Sequence, residues 1–295
     1  MSNWDPHKYQ PSDLQTLIDT ELPPQACWIE PAILPKRGKL LLGGEAKSLK
    51  SFFMLNLGRA LIRGDFMWGT SKLKAVQPTT LLLIEQELGP WELQKRTRQM
   101  FAGEDADVVR AHFRYLSQAR GLLLDEPDSV KVLTEWCLAT GANVLMLDPV
   151  GKMYRGDEND SRAVGTLFDR LERVMDNCIA QDLSLVLTHH FVKPSRDPRD
   201  TSNPYSPYNF RGSSKWFDEP DMLITLLRDD PARGRVTTGW FPRCAAPQYR
   251  SGQAFNVDLD GKMRVQIENE GASEDDPPRS PRKIVVSKSE EGSKF

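Results

Sequence analysis

The 295-residue chain has few cysteines, no long apolar run and almost no net charge. Its cysteines form no Cys-x-x-Cys pair and have no histidine at ligand spacing, which argues against a disulfide framework and against a zinc site. No apolar stretch approaches the length of a membrane span, and Asp5, Pro6 and His7 stand where a secretion signal needs apolar residues. We therefore expect a soluble, cytoplasmic protein that has no membrane partner.

The near-balance of positive and negative charges excludes few classes of protein. A formal net charge of −2 and an isoelectric point of about 6.2 exclude a globally basic nucleic-acid coat, but a local basic channel would leave these totals unchanged. With 39% hydrophobic residues, the chain can form a substantial core. We predict one α/β domain at 22–270, after a polar segment at 1–21 and before a disordered tail at 271–295.

Short aliphatic runs alternate with segments of helical spacing along the middle of the chain. The runs are typical of buried parallel strands and cover 39–42, 79–85, 143–148, 183–188 and 221–227. The helical segments cover 52–61, 93–101, 130–139 and 163–180. Residues 235–241 and 254–259 form a predicted antiparallel pair, followed by a turn at Asp260-Gly261. This order predicts a mostly parallel sheet flanked by helices, with a C-terminal antiparallel hairpin.

The first predicted strand leads into a glycine-started loop that closes on Lys50-Ser51 and begins a helix. In such a loop, backbone N–H groups and the helix N-terminus face a polyphosphate, the lysine reaches the β/γ oxygens, and the serine hydroxyl binds Mg²⁺. Only Leu49 departs from the usual pattern, which has Gly there. A glycine-rich turn with a surface lysine is the alternative. The predicted nucleotide-binding residues are Gly44, Glu45, Ala46, Lys47, Ser48, Leu49, Lys50 and Ser51.

Polar side chains end three further predicted strands. Asp148 follows an apolar run, where it is expected to hold Mg²⁺ together with Ser51, although a strand-end Asp can also simply cap a turn. Glu85 and Glu87 lie at another strand end, and spacing alone does not decide which of them activates the attacking water. The pair His189-His190 closes a third strand. Adjacent residues of a strand face opposite sides, so at most one imidazole should reach the nucleotide.

A long stretch at 191–210 is rich in Pro, Ser, Asn, Arg and Tyr. Its cations and aromatic residues are Lys193, Arg196, Arg199, Tyr205, Tyr208 and Phe210. This combination suits a single-stranded nucleic acid, because the phosphates need cations and the bases need stacking partners. A surface loop without such a function is the alternative.

Together these motifs resemble the RecA-like ATPases of the hexameric replicative helicase class, especially plasmid- and phage-encoded members with His-His after the fourth strand. The resemblance covers 22–259. Its most specific piece is Arg211-Gly212-Ser213-Ser214, which is similar to the R-G-S-S segment that this family places beside the DNA channel. The resemblance implies a RecA-like P-loop core that uses ATP and Mg²⁺. The implied nucleic-acid contacts are Lys193, Arg196, Arg199, Arg211, Gly212, Ser213, Ser214 and Lys215.

The same resemblance implies roles for the remaining candidates. Glu87, with Arg96 nine residues onward, corresponds to the catalytic glutamate, and Glu85 is then a bystander. Arg243 is similar in position to a cationic finger that the late hairpin supplies to the nucleotide of a neighbouring subunit. His190 or His189 would report the nucleotide state.

The function implied by the resemblance is a Mg²⁺-dependent ATPase whose copies form a ring, expected to be a hexamer, and translocate on single-stranded DNA as a helicase. A nucleotide-switched scaffold or regulator without unwinding activity is the main alternative, and Leu49 favours it. A small-molecule kinase that uses the same loop is a third possibility, but the Arg-Gly-Ser-Ser segment argues against it.

Overall fold

In the part of the chain that the structure describes, one mixed sheet of nine strands has a hydrophobic core on each of its faces. The computed structural model describes residues 13–21, 26–118, 121–190, 212–230, 235–243, 253–257 and 264–267. In chain order the elements are α1 (Leu14–Asp19), β1 (Cys27–Glu30), β2 (Leu34–Pro35), β3 (Lys39–Gly44), α2 (Lys50–Arg63), β4 (Lys74–Ala75), β5 (Leu81–Glu85), α3 (Pro90–Met100), α4 (Ala106–His112), β6 (Phe113–Ser117), α5 (Ser129–Thr140), β7 (Val144–Asp148), α6 (Ser161–Asn177), β8 (Ser184–His190), α7 (Lys215–Asp218), β9 (Met222–Asp230), β10 (Arg235–Pro242), β11 (Gln253–Val257) and β12 (Val265–Ile267).

The strand order of this sheet is β12-β11-β10-β9-β3-β8-β7-β5-β6. Neighbours from β9 to β6 pair in parallel, whereas β10, β11 and β12 each pair antiparallel with the strand before them. The prediction of a mostly parallel sheet that is flanked by helices and closed by an antiparallel hairpin is therefore confirmed. A parallel strand order brings the carboxyl ends of β3, β5, β7 and β8 to one edge, where ligands of open α/β sheets bind.

The aliphatic strands are buried because helices cover both faces of the sheet. On β3, Leu40 and Leu42 pack in the core that contains α2, whereas Leu41 packs in the core that contains α5 and α6. This alternation follows the two-residue period of a strand. Helix α2 ends at Gly64, whose φ of 63° gives the left-handed cap that glycine adopts without strain.

Several elements escaped the sequence-based prediction. Strand β6 is partly exposed and contains Arg114 and Tyr115, so it lacks the aliphatic pattern of the other parallel strands. The short strands β1, β2 and β4 form a separate three-stranded sheet, and β12 has three residues. The predicted turn at Asp260-Gly261 and the predicted tail at 271–295 lie outside the described residues. The domain boundaries at 22 and 270 stay predictions.

None of the helices in the described part of the chain combines the length and the apolar composition needed to cross a bilayer.

Candidate nucleotide-binding site

The loop between β3 and α2 wraps around the ammonium group of Lys50. Its Nζ donates to the carbonyl oxygens of Gly44 at 2.9 Å and Glu45 at 2.7 Å and lies 3.5 Å from the Ser48 Oγ. Burial lowers the pKa of Lys50 to about 8, an effect that the carboxylates of Asp148, Glu87 and Glu45 oppose. The loop thus holds a buried ammonium group at the carboxyl end of β3, where a polyphosphate would meet it.

The backbone of Leu49 explains how the loop tolerates a residue other than glycine. Leu49 has a φ of 68°, in the left-handed region, and Lys47 has a φ of 66°. Such a conformation costs a residue with a side chain about 1–2 kcal/mol. The Leu49 side chain packs against the core around α2, which offsets this cost. Leu49 therefore stands where the usual pattern has glycine, and its backbone has the left-handed conformation that glycine would adopt there.

Gly44 lies where β3 approaches β9 and the loop most closely. A Cβ atom at this position would come within 2.5 Å of the Leu226 carbonyl oxygen and 2.5 Å of the buried Ser48 Oγ. Contacts this short do not occur between such atoms, so the first glycine of the loop is required by the packing of the sheet.

Gly44→Ala is therefore expected to lower the free energy of unfolding by about 1–3 kcal/mol and to weaken ATP binding, because β3 must move away from β9. Gly165→Ala is the matched control, since a Cβ on this residue of α6 meets nothing within 4 Å. The control should gain about 0.5–1 kcal/mol from the higher helix propensity of alanine. Urea denaturation measures both. Equal stability of the two variants would contradict the close approach at Gly44.

Ser51 and Asp148 meet at the edge of the sheet, as the sequence predicted. Asp148 is buried at the end of β7 and accepts hydrogen bonds from Thr188 Oγ1, at 2.5 Å, and from the Ser51 hydroxyl. Burial raises the pKa of Asp148, while these two hydrogen bonds and Lys50 favour the carboxylate. A hydroxyl and a carboxylate are the hard oxygen ligands that Mg²⁺ prefers, so the donor set fits the predicted ion. The sequence pattern did not indicate Thr188.

The two glutamates after β5 have different surroundings. Glu85 is buried, and its Oε1 accepts the backbone N–H of Glu87 at 2.5 Å and that of Leu88. Burial raises the pKa of Glu85. The Glu87 side chain is half exposed, and its Oε2 lies 4.0 Å from the His190 Nε2. Glu85 therefore holds the turn, and Glu87 presents its carboxylate to the site. The catalytic role of Glu87 stays a prediction.

Arg96, whose spacing from Glu87 supported that assignment, contacts the first turn of α2. Its Nε pairs with Glu92 at 2.9 Å, and its guanidinium lies 4.7 Å from the centre of the Phe52 ring.

The two adjacent histidines have different neighbours, and the expectation that at most one of them reaches the nucleotide stays a prediction. His190 is near Glu87 and Lys50, and burial together with the positive charge of Lys50 lowers its pKa. His189 is buried and stacks on Trp216, with ring centres 4.1 Å apart and planes at 18°. His190 is thus the imidazole on the nucleotide side, and its sensing role stays a prediction.

The described part of the Arg-Gly-Ser-Ser segment, which begins at Gly212, packs against the chain that precedes α6. Gly212 has a φ of 104°, and a Cβ there would lie 2.0 Å from the Glu158 carbonyl oxygen. The Ser213 N–H donates to the same oxygen at 2.7 Å, and its Oγ lies 2.8 Å from the Ser161 Oγ. Gly212 and the buried Ser213 therefore have a structural task that the sequence pattern did not reveal.

The other predicted nucleic-acid contacts are only partly described. Ser214 is exposed and hydrogen bonds to Asp218 at 3.3 Å, and Lys215 pairs with Glu219 at 2.9 Å. The remaining residues, Lys193, Arg196, Arg199 and Arg211, lie outside the described residues. A contact between nucleic acid and any residue of this set stays a prediction.

Arg243 is exposed and lies at the edge of the sheet opposite Lys50. Its N–H donates to the Asp221 carbonyl oxygen, and Asp221 N–H donates to the Lys39 carbonyl oxygen, both at 2.8 Å. Arg243 is therefore near the start of β3, whereas the loop follows the end of that strand. These two ends are about 16 Å apart at the usual rise of a strand. A role of Arg243 at a nucleotide therefore requires a second copy of the protein.

The strand order, the loop around Lys50 and the carboxylates at the same edge define a P-loop nucleoside triphosphatase with a RecA-like core. The comparison with known families agrees. Residues 5–196, more than half of the chain, match the model of the AAA_25 family, described as an AAA domain. The protein belongs to this family of AAA-type P-loop ATPases, which generally use ATP and Mg²⁺. No curated protein matches the chain.

Proposed function

We propose that the protein is a Mg²⁺-dependent ATPase whose copies assemble head to tail into a ring, expected to be a hexamer, and translocate on single-stranded DNA as a replicative-type helicase. The observation that carries the proposal is the separation of Arg243 from Lys50 across the sheet. An arginine that serves a neighbouring nucleotide needs a heterologous interface, and such an interface closes into a ring when the rotation allows.

The chain supplies the groups that phosphoryl transfer to water requires. Hydrolysis forms a bond from a water oxygen to the γ-phosphorus, breaks the bond from that phosphorus to the bridging oxygen, and releases a proton from the water. Glu87 would accept this proton, while Lys50 and the partner's Arg243 would stabilise the charge on the phosphoryl oxygens. Ser51 and Asp148 would hold Mg²⁺, which neutralises charge on the β and γ oxygens when bound.

Strand β8 supports a link between ATP and DNA. His190 faces Glu87, and the next residue back, His189, stacks on Trp216, which follows the Arg-Gly-Ser-Ser segment in α7. A change at the γ-phosphate that moved His190 would therefore also shift His189 and Trp216, which lie beside that segment. The scaffold alternative depended on Leu49, and the left-handed backbone at this residue preserves the loop, so this observation no longer favours it.

A mixing experiment tests the shared site. Arg243→Ala and Glu87→Gln should each hydrolyse ATP slowly when assayed alone. An equimolar mixture of the two should recover about a quarter of the parental rate. Random assembly places an intact Glu87 opposite an intact Arg243 at about a quarter of the interfaces. A double variant that lacks both groups, mixed with Glu87→Gln, is the control and should recover nothing. The proposal fails if the first mixture stays as inactive as the control.

Measurements on the parent protein separate the helicase from the scaffold. We expect single-stranded DNA to raise the ATPase rate, DNA binding to weaken steeply with salt, and the solution mass with ATP and Mg²⁺ to be that of a ring. A ring whose ATPase rate ignores DNA would instead support the scaffold. A lasting monomer would contradict both.

A further inference from the structure

Two residues of the loop between β3 and α2, Lys47 and Leu49, have a left-handed backbone although neither is glycine. A residue with a side chain adopts this conformation only at a cost in free energy. The Leu49 side chain packs against the core around α2, but the Lys47 side chain is exposed and gains no such packing. The conformation at Lys47 therefore needs support from outside its own side chain.

Arg228 of β9 supplies a contact that holds this part of the loop. Its Nη1 donates to the Lys47 carbonyl oxygen at 3.3 Å. The next N–H along the chain, that of Ser48, donates to the Glu45 carbonyl oxygen at 3.2 Å. The peptide unit between Lys47 and Ser48 is thus held at both ends, by β9 at its oxygen and by the loop itself at its nitrogen.

The pairing of β9 with β3 explains why an arginine of β9 reaches the loop. Strand β3 ends at Gly44, which lies opposite Leu226, and β9 continues beyond this pair. Leu226 packs in the core that contains α2, and side chains two residues apart lie on the same face of a strand. Arg228 therefore lies on the side of the sheet toward which the loop runs as it enters α2.

We infer that Arg228 is a positioning residue that holds the left-handed backbone at Lys47 and so keeps the N–H groups of the loop aimed at the triphosphate before ATP binds. Successive backbone N–H groups in such a turn form an anion-binding concavity. A loop that already has the bound shape binds more tightly, because less order must be created on binding. Arg228 contacts a carbonyl oxygen of the loop, so it acts through the backbone. The inference rests on the proposed function in that ATP is the ligand of this loop.

A double-variant cycle with ATP binding as the readout tests the inference. Arg228→Ala should weaken the binding of a fluorescent ATP analogue with Mg²⁺ about threefold to tenfold, because the loop loses a charge-assisted hydrogen bond. In Lys47→Gly, where glycine adopts the left-handed backbone without strain, the same change should weaken binding less than about twofold. Lys47→Ala is the matched control. It also removes the lysine side chain but keeps the strain, so Arg228→Ala should again weaken binding about threefold to tenfold.

Two further readouts separate positioning from a general loss of structure. Arg228→Lys keeps a cationic donor and should bind the analogue within about twofold of the parent. In Arg228→Ala the KM for ATP should rise while the rate at saturating ATP stays within about twofold of the parental rate, since the loop holds the ground state and the transition state alike.

The inference is overturned if Arg228→Ala weakens ATP binding equally in the Lys47→Gly and Lys47→Ala backgrounds, or if it leaves the affinity of the parent unchanged. Either result leaves the proposed ATPase intact, because the parent still binds and hydrolyses ATP. A parent that binds no ATP would contradict the proposed function, and the inference would fall with it, since the loop would have no triphosphate to hold.

Discussion

Lys50→Ala is expected to reduce the ATPase rate by about 100- to 1000-fold, because the variant loses the cation that stabilises charge on the transferred phosphoryl group. The Lys50 ammonium is held by two carbonyl oxygens of its own loop. Steady-state phosphate release measures the effect. Lys131→Met, at an exposed position of α5, is the control and should keep the parental rate.

Removing the charge of Lys50 should raise the free energy of unfolding, although it lowers the ATPase rate. Because the folded state lowers the pKa of Lys50 to about 8, the cost of burying its charge is fully present below pH 8 and disappears as the pH rises toward the ordinary value of 10.5. Lys50→Met keeps the apolar stem without the charge. Without ATP at pH 7, Lys50→Met removes a charge-burial cost of up to about 3 kcal/mol. The loss of the two hydrogen bonds to the loop carbonyl oxygens offsets part of this gain. A variant clearly less stable than the parent would contradict the buried charge.

Glu87→Gln is the second change with a large expected effect. It should retain ATP binding and lower the rate of hydrolysis by about 100- to 10000-fold, because an amide cannot take the proton of the attacking water. The fold should tolerate the change, since the turn depends on the Glu87 N–H and the Glu85 carboxylate, while the Glu87 side chain is half exposed. Fluorescent-nucleotide binding and single-turnover phosphate release measure the two quantities separately.

Glu85→Gln is the matched control for this assignment. Glu85 accepts two backbone N–H groups on one oxygen, which a glutamine amide can also offer, so the variant should change stability by less than about 1 kcal/mol and keep most of the chemical step. If Glu85→Gln abolished hydrolysis and Glu87→Gln did not, the roles of the two carboxylates would be reversed.

The sequence could predict the sheet and the loop around Lys50 because both depend on local patterns. Aliphatic runs indicate buried strands whatever their partners, and the spacing from Gly44 to Ser51 is contained in eight consecutive residues. Strand β6 was missed because its exposed Arg114 and Tyr115 break that pattern.

The rest of the site depends on partners that are distant in sequence. Thr188 donates to Asp148 across neighbouring strands, and Trp216 stacks on His189 from the following helix. Gly212 was predicted to contact nucleic acid. The structure shows that a glycine is required there because a Cβ would collide with the carbonyl oxygen of Glu158, more than fifty residues earlier. Local periodicity contains no information about such contacts, and it also does not show that Leu49 adopts a left-handed backbone.

The leucine before the phosphate-binding lysine has a consequence for how the protein responds to heat. Glycine at this place leaves the shape of the loop to the ligand, whereas Leu49 ties it to the core around α2. Loosening of that core would release the leucine and let its backbone relax to an ordinary conformation. Because the same core contains side chains of β3, β5 and β7, we expect ATP binding on heating to be lost together with the fold and not before it.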